Sequence, residues 1–98
     1  MADYFYSPEG RLDLLEIWEY IARDNIDIAD RVEREIQQAV STLARNPGLG
    51  HMRRDLTSKA VRFWPIYSYL IIYDPKAQPL EVVRILSGYR DIAELLKQ

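Results

Sequence analysis

Apolar residues recur every three or four positions in the first half of the chain, then alternate or run together in the second. Tyr4-Phe5-Tyr6 is a short aromatic run and predicts an N-terminal strand. Ser7-Pro8 reads as a helix start: a serine oxygen can take a free backbone N–H, and proline suits the first helical position, where its missing N–H costs nothing. Helix one is predicted from Pro8 to Arg23. Its apolar face is Leu12, Leu15, Trp18, Ile21 and Ala22, widened by Leu14 and Ile17. Asp24-Asn25 breaks the pattern, and Asp27 caps a second helix from Ile28 to Arg45 with the stripe Ala29, Val32, Ile36, Ala39, Val40 and Leu43. So short a link folds the two helices back as an antiparallel hairpin.

Asn46-Pro47-Gly48 ends the second helix, and Leu49 to Lys59 is a polar connector. Three strands are predicted after it: Ala60 to Trp64, with Pro65 marking its end or a bulge; Ile66 to Tyr73, rich in aromatic and β-branched residues; and Leu80 to Leu86, beyond the turn at Asp74-Pro75-Lys76. Gly88 breaks the last strand, and Asp91 caps a final helical turn through Ile92, Leu95 and Leu96. The order β-α-α-β-β-β-α predicts one α+β domain over residues 1–98, with the helix hairpin on one face of a mostly antiparallel sheet.

Composition narrows the function. The 98 residues are 48% hydrophobic and 29% charged, a globular balance. There is no cysteine, which excludes a disulfide scaffold, a thiol nucleophile and Cys-based metal sites. No apolar run approaches the roughly 18–20 residues that cross a bilayer. The first residues lack the basic and apolar regions of a secretory signal. The expectation is a cytoplasmic domain with no membrane partner. Net charge is -2, unevenly spread: residues 1–46 carry ten acidic and five basic side chains, residues 47–98 five acidic and eight basic. The second half therefore offers the surface for an acidic partner or a phosphate backbone.

Few residues offer chemistry. His51 is the only histidine and is read as an exposed loop residue. Asp13, Glu16 and Glu19 stand three apart and are read as the polar face of helix one. With no second histidine beside His51, no transition-metal site is expected. No Gly-rich phosphate loop or nucleophile elbow occurs, so nucleotide hydrolysis and acyl transfer lack parts, and no cofactor is expected. Tyr67, Tyr69 and Tyr73 alternate along one predicted strand and share a face. That face is read either as a half-buried tyrosine ladder or, if the helix hairpin covers the opposite face where Leu70 and Ile72 point, as partly open to stacked bases or a partner helix. Arg62, Arg84 and Arg90 lie on or just beyond strands and are read either as surface or salt-bridge arginines or as phosphate-holding groups beside a tyrosine, lysine or histidine acid or base, which would suit metal-free RNA cleavage.

Arg62-Phe63 with Pro65, Tyr69-Leu70-Ile71-Ile72-Tyr73, and Val83-Arg84-Ile85-Leu86-Ser87-Gly88-Tyr89-Arg90-Asp91 together resemble the ParE branch of the RelE/ParE toxin superfamily. Asp13 to Ala22 is similar to the first family helix, and Asn46-Pro47-Gly48-Leu49-Gly50 to the turn after the second. The resemblance implies a RelE/ParE-like fold and a type II toxin neutralised by a ParD-like antitoxin. ParE-type toxins are associated with poisoning of DNA gyrase, whereas RelE-type relatives cleave mRNA on the ribosome. The arginine that the nuclease branch keeps on its central strand is matched here by Tyr69, and no histidine lies near the C-terminus. The resemblance therefore favours a gyrase-directed toxin without bond chemistry. The expected target-binding set is Arg53, Arg54, Lys59, Arg62, Arg84 and Arg90. Leu12, Leu15, Trp18, Tyr67, Tyr69 and Tyr73 are expected to receive an antitoxin helix. The alternative, an mRNA endonuclease, would use Arg84, Tyr89 and Arg90.

Overall fold

A computed structural model describes residues 3–97 and places along them β1 (Tyr4–Tyr6), α1 (Pro8–Ala22), α2 (Ile26–Arg45), β2 (Arg62–Ile66), β3 (Tyr69–Asp74), β4 (Leu80–Ser87) and α3 (Ile92–Leu96). Met1 and Ala2, part of the stretch read for a secretory signal, lie outside the described residues, as does Gln98. The sheet order is β1-β4-β3-β2, with β1 parallel to β4 and the other pairs antiparallel. This is the expected α+β layer: two helices on a four-stranded mixed sheet. Among the described residues no helix is long and apolar enough to cross a membrane.

The local signals act much as their chemistry dictates. Ser7 Oγ accepts the Gly10 N–H at 3.0 Å and opens α1. Asn25, not Asp27, caps α2 by accepting the Ile28 N–H at 3.0 Å, so the helix starts two residues earlier than expected. Ala29, Val32, Ile36, Val40 and Leu43 of α2 are buried as predicted. The buried stripe of α1 is rotated from the expected one. It runs through Gly10, Asp13, Leu14 and Ile17, leaving Leu12 and Leu15 exposed. The helix carries apolar residues on most of its circumference, so periodicity alone did not select the inner face.

The sheet corrects a second expectation. Ile71 and Tyr73, with half-buried Tyr69, pack against α1 and α2, while Leu70 and Ile72 join Phe63, Leu86 and α3 on the opposite face. The helix hairpin thus covers the tyrosine face, and Tyr73 is fully buried. Tyr67 is not on the strand. With Ser68 it forms the two-residue loop between the paired residues Ile66 and Tyr69, at φ 54°. That is the left-handed region, which this position of a hairpin usually gives to glycine. In β4 the register slips, so that Tyr73 faces Val82 and Ile72 faces Arg84, leaving Val83 as the extra residue of a bulge. The bulge changes the parity of the strand. Leu80 and Val82 face the helices before it, and Ile85 faces them after it.

The outer edge of β2 is closed in two ways. His51 pairs with Phe63 through two backbone bonds of 2.8 Å. Pro65, expected to mark the strand's end or a bulge, lies within it in regular register opposite Leu70 and has no N–H to offer a further strand.

Candidate functional site

β1 is only three residues long and its pairing with β4 stops at Val82, although β4 continues to Ser87. The remaining edge of β4 is held by side chains and backbone from the start of α1. The Ser7 N–H donates to Val82 O at 2.9 Å, and Ser7 Oγ donates to Val83 O at 2.7 Å. Gly10 permits this approach, because a Cβ there would stand 2.8 Å from Val82 O. One turn later Asp13 Oδ2 accepts the Ile85 N–H at 3.0 Å, in the place a neighbouring strand's carbonyl would take. The same carboxylate receives Arg84 Nε at 2.7 Å and Nη2 at 3.0 Å. Asp13 is therefore a buried clamp between helix and sheet, and its assignment to the polar face is corrected; Glu16 and Glu19 are exposed as expected. The hydrogen bond to Asp13 holds the Arg84 guanidinium above its ordinary value against the opposing effect of burial, with the Asp13, Glu9 and Glu16 charges helping.

The six cations expected at a target interface divide accordingly. Arg84 is committed to Asp13. Arg62 Nη1 donates to Gly50 O at 2.7 Å. Arg53 makes a two-pronged pair with Asp55 at 3.0 and 2.8 Å, and this bond raises the arginine and lowers the carboxylate from their usual values. Arg54, Lys59 and Arg90 are exposed and, among the described residues, make no side-chain hydrogen bond or ion pair.

The residues of the nuclease alternative border two clefts that meet at the Asp13–Arg84 pair. Tyr89, 91% exposed, and Arg90 border a cleft of about 400 Å³ between α1 and the end of β4, together with Asp13, Ile17, Tyr20, Tyr69 and Ile85. Arg84 borders a different cleft, with Lys59, Glu9, Glu81 and Leu95. Burial raises the Tyr69 phenol, with Tyr20 adding to it. The described residues contain no group of three or more His, Asp or Glu side chains that could hold a metal ion.

The six residues expected to receive an antitoxin helix differ in exposure. Leu12 and Leu15 are 54% and 51% exposed and sit nearly one helical turn apart. Trp18 is half-buried and donates Nε1–H to Asp30 Oδ1 at 2.8 Å, linking α1 to α2. Tyr67 is exposed at the hairpin tip, and Tyr73 offers no surface. Tyr73 has a different task. Its hydroxyl donates to Pro47 O at 2.6 Å and accepts the Gly50 N–H at 2.8 Å. Neither this clasp nor the Asp13 clamp shows in the pattern of residues along the chain. Gly50, a lone glycine in a polar loop, was the one available sign of the clasp.

A family model described as the ParE toxin of the type II toxin-antitoxin system, parDE, matches residues 4–92. Among solved structures, a chain of the chromosomal ParDE toxin–antitoxin system from P. aeruginosa superposes with a TM-score of 0.69 at 17% sequence identity, covering 86% of this chain and 92% of that one. At that identity the superposition speaks for the fold. No curated protein matches the sequence.

Proposed function

Because the chain belongs to the ParE toxin family of parDE type II toxin–antitoxin systems, we propose that it acts by binding DNA gyrase and that a ParD-type antitoxin neutralises it by covering exposed apolar surface. The reading of a toxin without bond chemistry is supported by one observation: the Arg84 guanidinium is occupied by the Asp13 carboxylate, and that same carboxylate lines the cleft that Tyr89 and Arg90 border. Cleavage of a phosphodiester needs cations and an acid or base converging on one phosphate. The purified protein is expected to inhibit gyrase supercoiling and to accumulate gyrase–DNA cleavage complexes. An absence of both effects at micromolar toxin sinks the gyrase reading. Primer extension on ribosome-bound message should show no discrete cuts.

The antitoxin would meet the toxin on α1. Leu12 and Leu15 contribute little to the core, so the double change to alanine should leave the fold intact. It should weaken the antitoxin complex at least tenfold by isothermal titration calorimetry. Unchanged affinity would place the receptor elsewhere.

A further inference from the structure

We propose that the segment from Leu49 to Arg54 is a pre-ordered docking element for an acidic protein surface carrying apolar side chains. It deepens the reading of the protein as a binder by naming a contact element and the chemistry of what it contacts.

The segment is anchored through its backbone. Tyr73 Oη bridges Pro47 O and the Gly50 N–H, Arg62 holds Gly50 O at 2.7 Å, and both His51 backbone groups are bonded to Phe63. Gly50 has no room for a side chain, since a Cβ would lie 2.5 Å from Tyr73 Oη. On either side of this pinned dipeptide stand Leu49 and Met52, 43% and 44% exposed. Two large apolar side chains on a backbone tied at five polar groups can bind without the usual ordering cost. Methionine adds an adaptable contact.

Charge selects the partner. Residues 49–62 contain Arg53, Arg54, Lys59 and Arg62 against Asp55 alone. Residues 63–98 balance, with four basic and four acidic side chains, so the positive excess of the second half lies in this one stretch. Residues 1–46 carry twice as many acidic as basic side chains. A long polyanion would meet repulsion from that half, whereas a local acidic surface interacts within the roughly 8–10 Å over which exposed charges are felt. Residues 49–62 also hold no Phe, Tyr or Trp on which bases would stack. Exposed leucine and methionine beside arginine fit a protein surface with glutamates or aspartates around a small apolar core.

The test uses the full chain, isotope-labelled, with two probes of matched charge: a helical peptide of glutamate and leucine, and a DNA oligonucleotide. The peptide should shift amide resonances of residues 49–54 and bind more weakly as salt rises. The pairs Arg53→Glu/Arg54→Glu and Leu49→Ser/Met52→Ser should each weaken it at least tenfold while leaving the circular dichroism unchanged. Tyr73→Phe, which keeps the ring and frees the loop, should weaken it several-fold. Preference for the oligonucleotide, shifts elsewhere, no binding, or affinity indifferent to both double variants overturns the proposal. Neither probe involves gyrase. A protein that captures the peptide at 49–54 yet leaves gyrase untouched refutes only the gyrase reading, and one that inhibits gyrase but ignores the peptide refutes only this one.

Discussion

Replacing Asp13 by alanine tests the clamp at the centre of the molecule. The carboxylate is buried and makes three hydrogen bonds, at 2.7 and 3.0 Å to Arg84 and at 3.0 Å to the Ile85 N–H. Its removal leaves a cation without its partner and a strand N–H without an acceptor. Breaking a buried ion pair from one side costs about 3–5 kcal/mol. The Arg84 side chain keeps 21% of its surface in solvent, so water restores part of the loss and the lower end applies. The orphaned Ile85 N–H adds about 1 kcal/mol. The expected loss is about 3–4 kcal/mol, against a total of about 5–15 kcal/mol for a domain of this length. Asp13→Asn keeps an acceptor and loses the charge, and should fall about halfway. Urea unfolding at pH 7, followed by far-ultraviolet circular dichroism, measures each value.

The double variant Asp13→Leu/Arg84→Met separates the clamp from mere packing. With both charges gone, only the Ile85 N–H lacks a partner, so the double variant should be more stable than Asp13→Ala and lie within about 2 kcal/mol of the parent. Asp13→Ala within 0.5 kcal/mol of the parent, or a double variant less stable than Asp13→Ala, would refute the reasoning.

Two other predictions concern the clasp and the tyrosines. Gly50→Ala should destabilise by about 2–3 kcal/mol, because its Cβ meets the buried Tyr73 ring at 2.8 Å, whereas Gly48→Ala, with nothing within 4 Å, should stay within about 0.5 kcal/mol in the same urea assay. Burial raises the phenols of Tyr6, Tyr69 and Tyr73 above their ordinary value, so the unfolded chain loses these protons first; stability is fully present below about pH 10 and declines as pH rises further. Urea midpoints between pH 8 and 11 should show that decline, and Tyr6→Phe should flatten it; a midpoint that holds to pH 11 would show that burial does not shift these groups.

Legibility followed the physics of each signal. Strand and helix order could be read because caps and breakers are local: Ser7-Pro8, Asn46-Pro47-Gly48 and Asp91 act through their own neighbours. Facing was harder. On α1, Leu12, Leu14, Leu15, Ile17 and Trp18 surround the helix, and the choice of inner face was made by two residues that a hydrophobicity pattern discounts, Gly10 and Asp13. Gly10 lies inward because β4 backbone passes too close for a Cβ, and Asp13 because a strand edge left open by a three-residue β1 needs an acceptor. Neither cause is visible without the partner strand more than seventy residues away. In β4 the bulge at Val83 breaks strict alternation, so parity counted from Leu80 assigns Ile85 to the wrong face.

The same long-range contacts explain why the candidate site was only half legible. A sequence shows where cations stand and says nothing of which are already partnered. Arg84 and Arg62 read equally as partnered or phosphate-holding arginines on strands, and each satisfies a polar group that the fold would otherwise leave bare: the carboxylate at the β4 edge and the carbonyl of Gly50. Arg53 is held by its neighbour Asp55 at the surface, where such a pair contributes little to stability and a competing acidic partner can exchange it at small cost. The cations available to a target are then Arg54, Lys59, Arg90 and, by exchange, Arg53. Three of these four belong to the connector that Tyr73 and Arg62 hold in place. On this account Arg62 acts on a target through the loop it fixes, and charge reversal at Arg54 should impair target binding with little loss of stability. Loss of Arg62 should impair both together.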